Sequence, residues 1–296
     1  GIIDPVAGSK NAIAEALTNI VWAPLQDKIK SVSLSANWMW PCKNEGEDAR
    51  LYEAVQAVSD FAINLGINVP TGKDSLSMKQ KYKDMEVISP GTVVISAAGH
   101  CDDIKKVVEP VLTRQEGNKI FYINLSGDKF KLGGSSFAQT LNKLGNGAPS
   151  IQDDNLFVKG FNAVQDLIKK GLISAGHDVS AGGLITAILE MCFADNNVGV
   201  EIDLTSLGES DSIKVLFAEN AGLVIQSLDP VAVEQVLSNA DVPYNIIGQA
   251  IASDFVKVQN GTWTNDFHIA QLRDIWFETS YLLDKKQSGE TQATLR

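Results

Sequence analysis

Apolar residues recur at helical spacing from Pro5 onward, with Ile13, Leu17, Ile20 and Val21 on one side, so the chain is predicted to open with an amphipathic helix. Asp4-Pro5 marks its start, the Asp as cap and the Pro in the first turn. Residues 47–65 carry a second helical stripe through Leu51, Val55, Val58, Ala62 and Leu65, stopped by Gly66. A third lies over residues 155–170, with Phe157, Phe161, Val164, Leu167 and Ile168 on its buried side. Further helices are expected over 184–193 and 230–238, and Gly133-Gly134-Ser135-Ser136 opens a short one. Apolar runs predict strands over 31–36, 92–98, 120–125, 172–174, 200–204, 223–227 and 255–258. Residues 71–75 read as a polar segment between ordered elements, and 287–296 as a polar, disordered tail.

The mixture of strands and helices defines an α/β (α+β) chain. Pro110, Gly117 and their polar neighbours over 109–118 suggest a boundary. We divide the chain into a first domain, 1–114, a second α/β domain, 115–285, and a tail, 286–296.

Composition narrows the function classes. Against 25 Lys+Arg stand 36 Asp+Glu, a net charge of −11. Such a surface has no general attraction for nucleic acid. An anionic nucleotide would need local backbone N–H groups, a lysine or a metal. No run of 18 apolar residues offers a membrane span. Cys42, Cys101 and Cys192 are widely spaced, with neither a paired framework nor zinc-ligand spacing, which points to a reducing, cytoplasmic compartment.

Four segments have the residue types for phosphate and metal chemistry. In Gly176-His177-Asp178-Val179-Ser180-Ala181-Gly182-Gly183, a helix start supplies N–H groups and the glycines permit close approach. Asp178 offers carboxylate oxygen to Mg²⁺ and Ser180 a hydroxyl to phosphate. On pattern alone, simple helix capping by these two residues is the stronger reading. Glu15 and Asn19, four apart on one helix face, can both reach one cation, although from spacing alone a solvated polar face is the preferred reading. Thr71-Gly72-Lys73-Asp74-Ser75 lacks the spacing of the nucleotide-binding P-loop and by itself reads as a polar turn. Asn37, in Ser35-Ala36-Asn37-Trp38, can hold a substrate group or simply end a strand.

Taken in order, these segments resemble one family. The series is Ala14-Glu15-Ala16-Leu17-Thr18-Asn19-Ile20, Leu34-Ser35-Ala36-Asn37-Trp38-Met39, Gly46-Glu47-Asp48-Ala49, Gly72-Lys73-Asp74-Ser75-Leu76-Ser77-Met78 and His177-Asp178-Val179-Ser180-Ala181-Gly182-Gly183-Leu184, joined by Leu216-Phe217-Ala218-Glu219 and Gly222. It resembles the large, single-chain phosphoribosylformylglycinamidine synthases from about residue 7 to 282, and the chain looks like the second half of their synthetase region.

That resemblance implies a two-domain half of the aminoimidazole ribonucleotide synthase-like superfamily, a fold unrelated to ATP-grasp. The first domain is expected to lack its opening strands, together with an upstream metal-binding aspartate. The implied reaction converts formylglycinamide ribonucleotide, ATP and glutamine to the amidine, ADP, phosphate and glutamate. ATP would activate the amide oxygen and ammonia would displace phosphate. Mg²⁺ ligands carried over by position are Glu15, Asn19 and Asp178, and Ser180 contacts the nucleotide, ATP or ADP. Gly72 and Lys73 would face nucleotide, Lys73 through phosphate rather than metal. Ser75 and Asn37 would face substrate, and His177 receives no role. No catalytic residue is assigned within the chain itself. Implied partners are the first synthetase half and a glutaminase domain of the same polypeptide, with a homodimer of this chain as a substitute. The alternatives are a non-catalytic nucleotide-holding module, another superfamily member such as aminoimidazole ribonucleotide synthase, and an interaction protein without a nucleotide site.

Overall fold

The computed structural model describes residues 1–295. Helix α1 (Pro5–Ile20) begins as the sequence predicts, with Asp4 accepting a hydrogen bond from the Ala7 N–H at 2.9 Å. A short 3₁₀ turn leads into β1 (Ser33–Met39). Helix α2 (Glu47–Leu65) then crosses over to β2 (Asn68–Ser75), which runs parallel to β1. A small hairpin, β3 (Lys79–Lys81) and β4 (Glu86–Ile88), precedes β5 (Thr92–Ala98), antiparallel to β1. The first sheet therefore has the order β2-β1-β5.

The second sheet is built from β6 (Lys119–Asn124), β7 (Ala175–Val179), β8 (Val198–Asp203), β9 (Gly222–Ser227), β10 (Asn245–Ala252), β11 (Phe255–Asn260) and β12 (Trp263–His268). Its order is β12-β11-β8-β10-β6-β9-β7, antiparallel except for the β8–β11 pair. Between these strands run α3 (Ser136–Thr140), α4 (Asp154–Lys169), α5 (Gly183–Cys192), α6 (Ser212–Phe217) and α7 (Pro230–Asn239). After β12 come α8 (Ile269–Ser288) and α9 (Glu290–Thr294). One hydrophobic cluster joins α1, α2 and β1 to α4, α7 and one face of the second sheet. A second cluster fills the other face, under α5 and α6. The α/β reading of the sequence holds.

Four local expectations change. Residues 71–75 are the end of strand β2, not a loop. Its side chains are mostly exposed, so no apolar alternation marks it, and backbone pairing to β1 makes it a strand. The strand expected over 172–174 begins instead at Ala175. Gly171 (φ +70°) ends α4, and the Leu172 N–H returns to the Leu167 carbonyl at 3.0 Å, so Leu172 is the apolar residue of a helix C-cap. In α2 the buried face runs through Ala54, Ala57, Val58, Phe61, Ala62 and Leu65, while Val55 is exposed. Within the described residues the tail is largely helical: α8 continues to Ser288, and a Lys285–Glu290 ion pair of 2.6 Å bridges the break at Gly289 into α9, while Arg296, the last residue of the expected tail, lies outside the described residues.

Candidate functional site

The site forms where α1 passes the end of β7. Asp178 is buried on β7, and its two carboxylate oxygens accept hydrogen bonds from Asn19 Nδ2 at 3.3 Å and Trp22 Nε1 at 3.4 Å. Both donors come from α1 or the turn after it, so the helix that carries Glu15 and Asn19 is tied to the strand that carries Asp178. Asn19 Nδ2 also donates to the Glu15 carbonyl at 2.9 Å. The polypeptide then turns through Ser180, Ala181 and Gly182 into α5. Gly182 is the N-cap at φ +87°, and no side chain caps the helix. Capping by Asp178 or Ser180 is therefore not what the structure shows. A side chain at Gly182 would be strained by its positive φ and would run into Thr186.

A cavity of about 210 Å³ opens here, walled by Glu15 and Asn11 of α1, by Gly133 and Gly134, by Val179, Ser180 and Ala181, and by Glu219. Its electrostatics are one-sided. The Glu15 carboxyl is raised above its usual range, first by the protein packed around it and then by the charges of Asp178 and Glu219. Glu15 keeps much of its surface in solvent, so these influences are moderated. Among the described residues, neither Glu15 nor Glu219 joins an ion pair, and Asp178 faces only His177, at 3.7 Å. The cavity wall carries the Glu15 and Glu219 carboxylates and no lysine or arginine side chain, an arrangement whose charge a cation would offset.

Among the described residues, no group of three or more His, Cys, Asp or Glu side chains is disposed to cage a metal. The available set is the Glu15 and Asp178 carboxylates with the Asn19 amide. That set fits Mg²⁺, which characteristically takes one or two carboxylates and fills its remaining positions with water and phosphate oxygen. His177 Nδ1 lies 2.7 Å from the Asp178 carbonyl and Nε2 3.1 Å from Glu190. Burial works against its imidazolium, but the bonds to Glu190 and the Asp178 carbonyl, with the nearby carboxylate charges, prevail and raise its pKa. The residue braces β7 against α5.

The remaining sequence-predicted residues form a separate group. Strand register sets Asn37 beside Lys73 and Met39 beside Ser75. These three candidates, Asn37, Lys73 and Ser75, thus share the face of the first sheet opposite to buried Leu34 and Ala36. Lys73 Nζ lies 3.2 Å from Ser75 Oγ. Gly72 turns to the other face, where a side chain would collide with the Ala36 carbonyl. Among the described residues no hydrogen bond or ion pair joins this group to the Glu15–Asp178 cavity. Two contributors escaped the reading from residue types, Glu219 and the Gly133-Gly134 turn. Glu219 was visible only within the quoted Leu216–Glu219 motif, and the glycines only as a helix opener.

The two α/β units place the chain in the AIR synthase-related class. Residues 115–260 match the AIR synthase related protein C-terminal domain, and residues 1–100 match the FGAR-AT PurM_N-like domain. The chain belongs to the phosphoribosylformylglycinamidine synthase family. It is 41% identical over 297 residues to the probable phosphoribosylformylglycinamidine synthase, chloroplastic/mitochondrial, of Arabidopsis thaliana, covering 97% of this chain and 20% of that protein. To the Homo sapiens phosphoribosylformylglycinamidine synthase it is 37% identical over 294 residues, covering 97% of this chain and 22% of that one. The chain thus spans about a fifth of these relatives' length. Among solved structures, T. maritima PurL complexed with FGAR superposes with a TM-score of 0.69 at 13% identity, over 92% of this chain and 44% of that one. T. maritima PurL complexed with ATP gives 0.65 at 12% identity, over 92% and 42%. At these identities the superpositions carry the fold alone.

Proposed function

We propose that this chain is a nucleotide-holding half of the synthetase region of phosphoribosylformylglycinamidine synthase, divided into domains 1–114 and 115–285. In the longer polypeptide it serves the ATP- and glutamine-dependent conversion of formylglycinamide ribonucleotide to its amidine. The observation that carries this reading is the cavity walled by Glu15 against Ser180, Ala181 and the Gly133-Gly134 turn, with Asp178, bonded to Asn19, one residue before its wall on β7. Glu15, Asn19 and Asp178 hold Mg²⁺, which when bound offsets the charge of the phosphate groups. Ser180 offers its hydroxyl to a phosphate oxygen, and the glycine turns admit the phosphate chain close to backbone. Relatives named for this activity and PurL structures titled with ATP and FGAR support the assignment.

The second group has a different task. Asn37, Lys73 and Ser75 present amide, ammonium and hydroxyl from one sheet face. In the longer polypeptide we assign this face to the substrate cleft shared with the first synthetase half, with ammonia supplied by the glutaminase domain. Lys73 acts there as a point charge for phosphate, and nucleotide meets Gly72 through backbone atoms alone, since its missing side chain makes room for the Ala36 carbonyl. Three unpaired cysteines support a cytoplasmic location. No helix of the described residues is long and apolar enough to cross a membrane.

A nucleotide-holding role separates binding from turnover. The chain incubated with Mg-ATP should retain nucleotide after rapid gel filtration and release no phosphate above background. Given formylglycinamide ribonucleotide and ammonia, it should form no amidine. Steady phosphate release or amidine formation by the chain alone would overturn the assignment.

A further inference from the structure

Glu219 occupies an unusual place in the cavity wall. One of its oxygens, Oε1, accepts two backbone N–H groups, Ser136 at 2.7 Å and Gly182 at 2.8 Å. These amides belong to different turns. Ser136 begins α3 after Gly133-Gly134-Ser135, and Gly182 is the N-cap of α5 after Ser180-Ala181. Gly133 and Gly134 line the cavity from one segment, and Ser180 and Ala181 from the other. A single carboxylate oxygen thus ties the two walls together.

The carboxylate is itself held in place. Asn220 is buried, and its Nδ2 lies within 3.0–3.3 Å of Ser126 Oγ and the Asp128 and Lys129 carbonyls. The Ala221 carbonyl accepts the Leu125 and Ser126 N–H groups at 3.0 and 3.1 Å. Phe137, next to Ser136, stacks on Phe217, two residues before Glu219, with ring centroids 4.6 Å apart. Holding Glu219 there has an electrostatic cost, because its charge bears on Glu15. A neutral acceptor oxygen would bridge the same amides, so the bridge depends on the position of the oxygen rather than on its charge.

We propose that Glu219 is a positioning residue of the nucleotide site, clamping the Gly133–Ser136 and Ser180–Gly182 turns at the separation that nucleotide phosphates require. The proposal rests on the nucleotide-site reading above. It assigns Glu219 no contact with metal or nucleotide. Its oxygen acts through the two turns.

The test uses Mg-ADP calorimetry on the chain and three variants. Glu219→Ala removes the clamp. Glu219→Gln keeps an acceptor oxygen and removes the charge. Ser136→Pro deletes one of the two N–H groups at the first residue of α3, where proline suits the backbone. The preceding Ser135, at φ −67° and ψ 157°, is already extended as a residue before proline must be. Glu219→Ala should weaken binding about tenfold and Ser136→Pro about threefold, with Glu219→Gln within about twofold of the parent. Amide exchange at Gly182, read in the same proteins without nucleotide, should accelerate in Glu219→Ala and stay slow in Glu219→Gln. Parent-like affinity in Glu219→Ala would overturn the clamp while leaving the nucleotide site standing. Gln as damaging as Ala would overturn it too, since charge rather than the acceptor would then matter. A parent chain that binds no Mg-ADP would remove the nucleotide site itself, and the clamp's purpose with it.

Discussion

Single residues in this site are legible through what surrounds them. Glu15 carries a raised carboxyl because packed protein, Asp178 and Glu219 all disfavour its charge. A carboxyl whose folded pKa lies above its unfolded value favours folding when protonated. That contribution is present below the unfolded pKa and is lost as pH rises through the folded one. Glu15→Gln should therefore melt about 1 °C or more above the parent at pH 7 in metal-free buffer, with the gain shrinking as pH falls through the carboxylate range. A melting scan of both proteins at several pH values checks this, and a variant that melts below the parent at pH 7, or a gain that grows as pH falls, would contradict the sign. The same substitution should weaken Mg²⁺-dependent nucleotide binding. Stability and function thus pull apart at Glu15, as expected where like charges are held ready for a cation.

At the scale of elements, α1 and α4 are joined by a buried side chain. Gln165 is fully buried in α4, accepts the Leu25 N–H at 2.7 Å and donates to the Val21 and Ala23 carbonyls at 2.5 and 2.9 Å. It satisfies the backbone of the segment that follows α1, including the turn of Trp22 that contacts Asp178. Gln165→Leu leaves those groups buried without partners and should cost about 2–4 kcal/mol in denaturant unfolding. A loss below about 0.5 kcal/mol would show that the segment finds other partners. Helices with strong stripes and caps were legible in the sequence. Glu47–Leu65 is predicted to the residue, and Phe157, Phe161, Val164, Leu167 and Ile168 are all buried. The elements missed lack that signal. Strand β2 is exposed and polar, β12 carries Thr264, Asn265 and Asp266 at a sheet edge, and α8 leaves Ile275, Trp276 and Phe277 in solvent. The site was legible as separate motifs. Residue types alone did not group them: Glu15, Asn19 and Asp178 were joined only through the family resemblance, and the Asn37–Lys73 pairing depends on strand register. Nor does the spacing of residue types reveal that Glu219 reaches two distant turns.

Across the whole molecule, the two sheets play different parts. The second is covered on both faces by hydrophobic clusters. The first is small, covered by α1 and α2 on one face, with Thr71, Lys73 and Val94 exposed on the other. In relatives about five times as long, further chain is available to meet such a face. The isolated chain should compensate by pairing with a second copy, and sedimentation should show a dimer that dissociates on dilution. A sharp monomer at every concentration would count against that arrangement.

Glu15, Asn19 and Asp178, with the Ser180–Gly182 turn, are assigned here to a magnesium nucleotide. Calorimetric titration of the chain and its Asp178→Asn variant with ADP and ATP, with and without Mg²⁺, tests that assignment most directly. Binding to the parent should depend on Mg²⁺ and weaken about tenfold or more in the variant. Equal affinity in the two proteins, or binding indifferent to Mg²⁺, would contradict it.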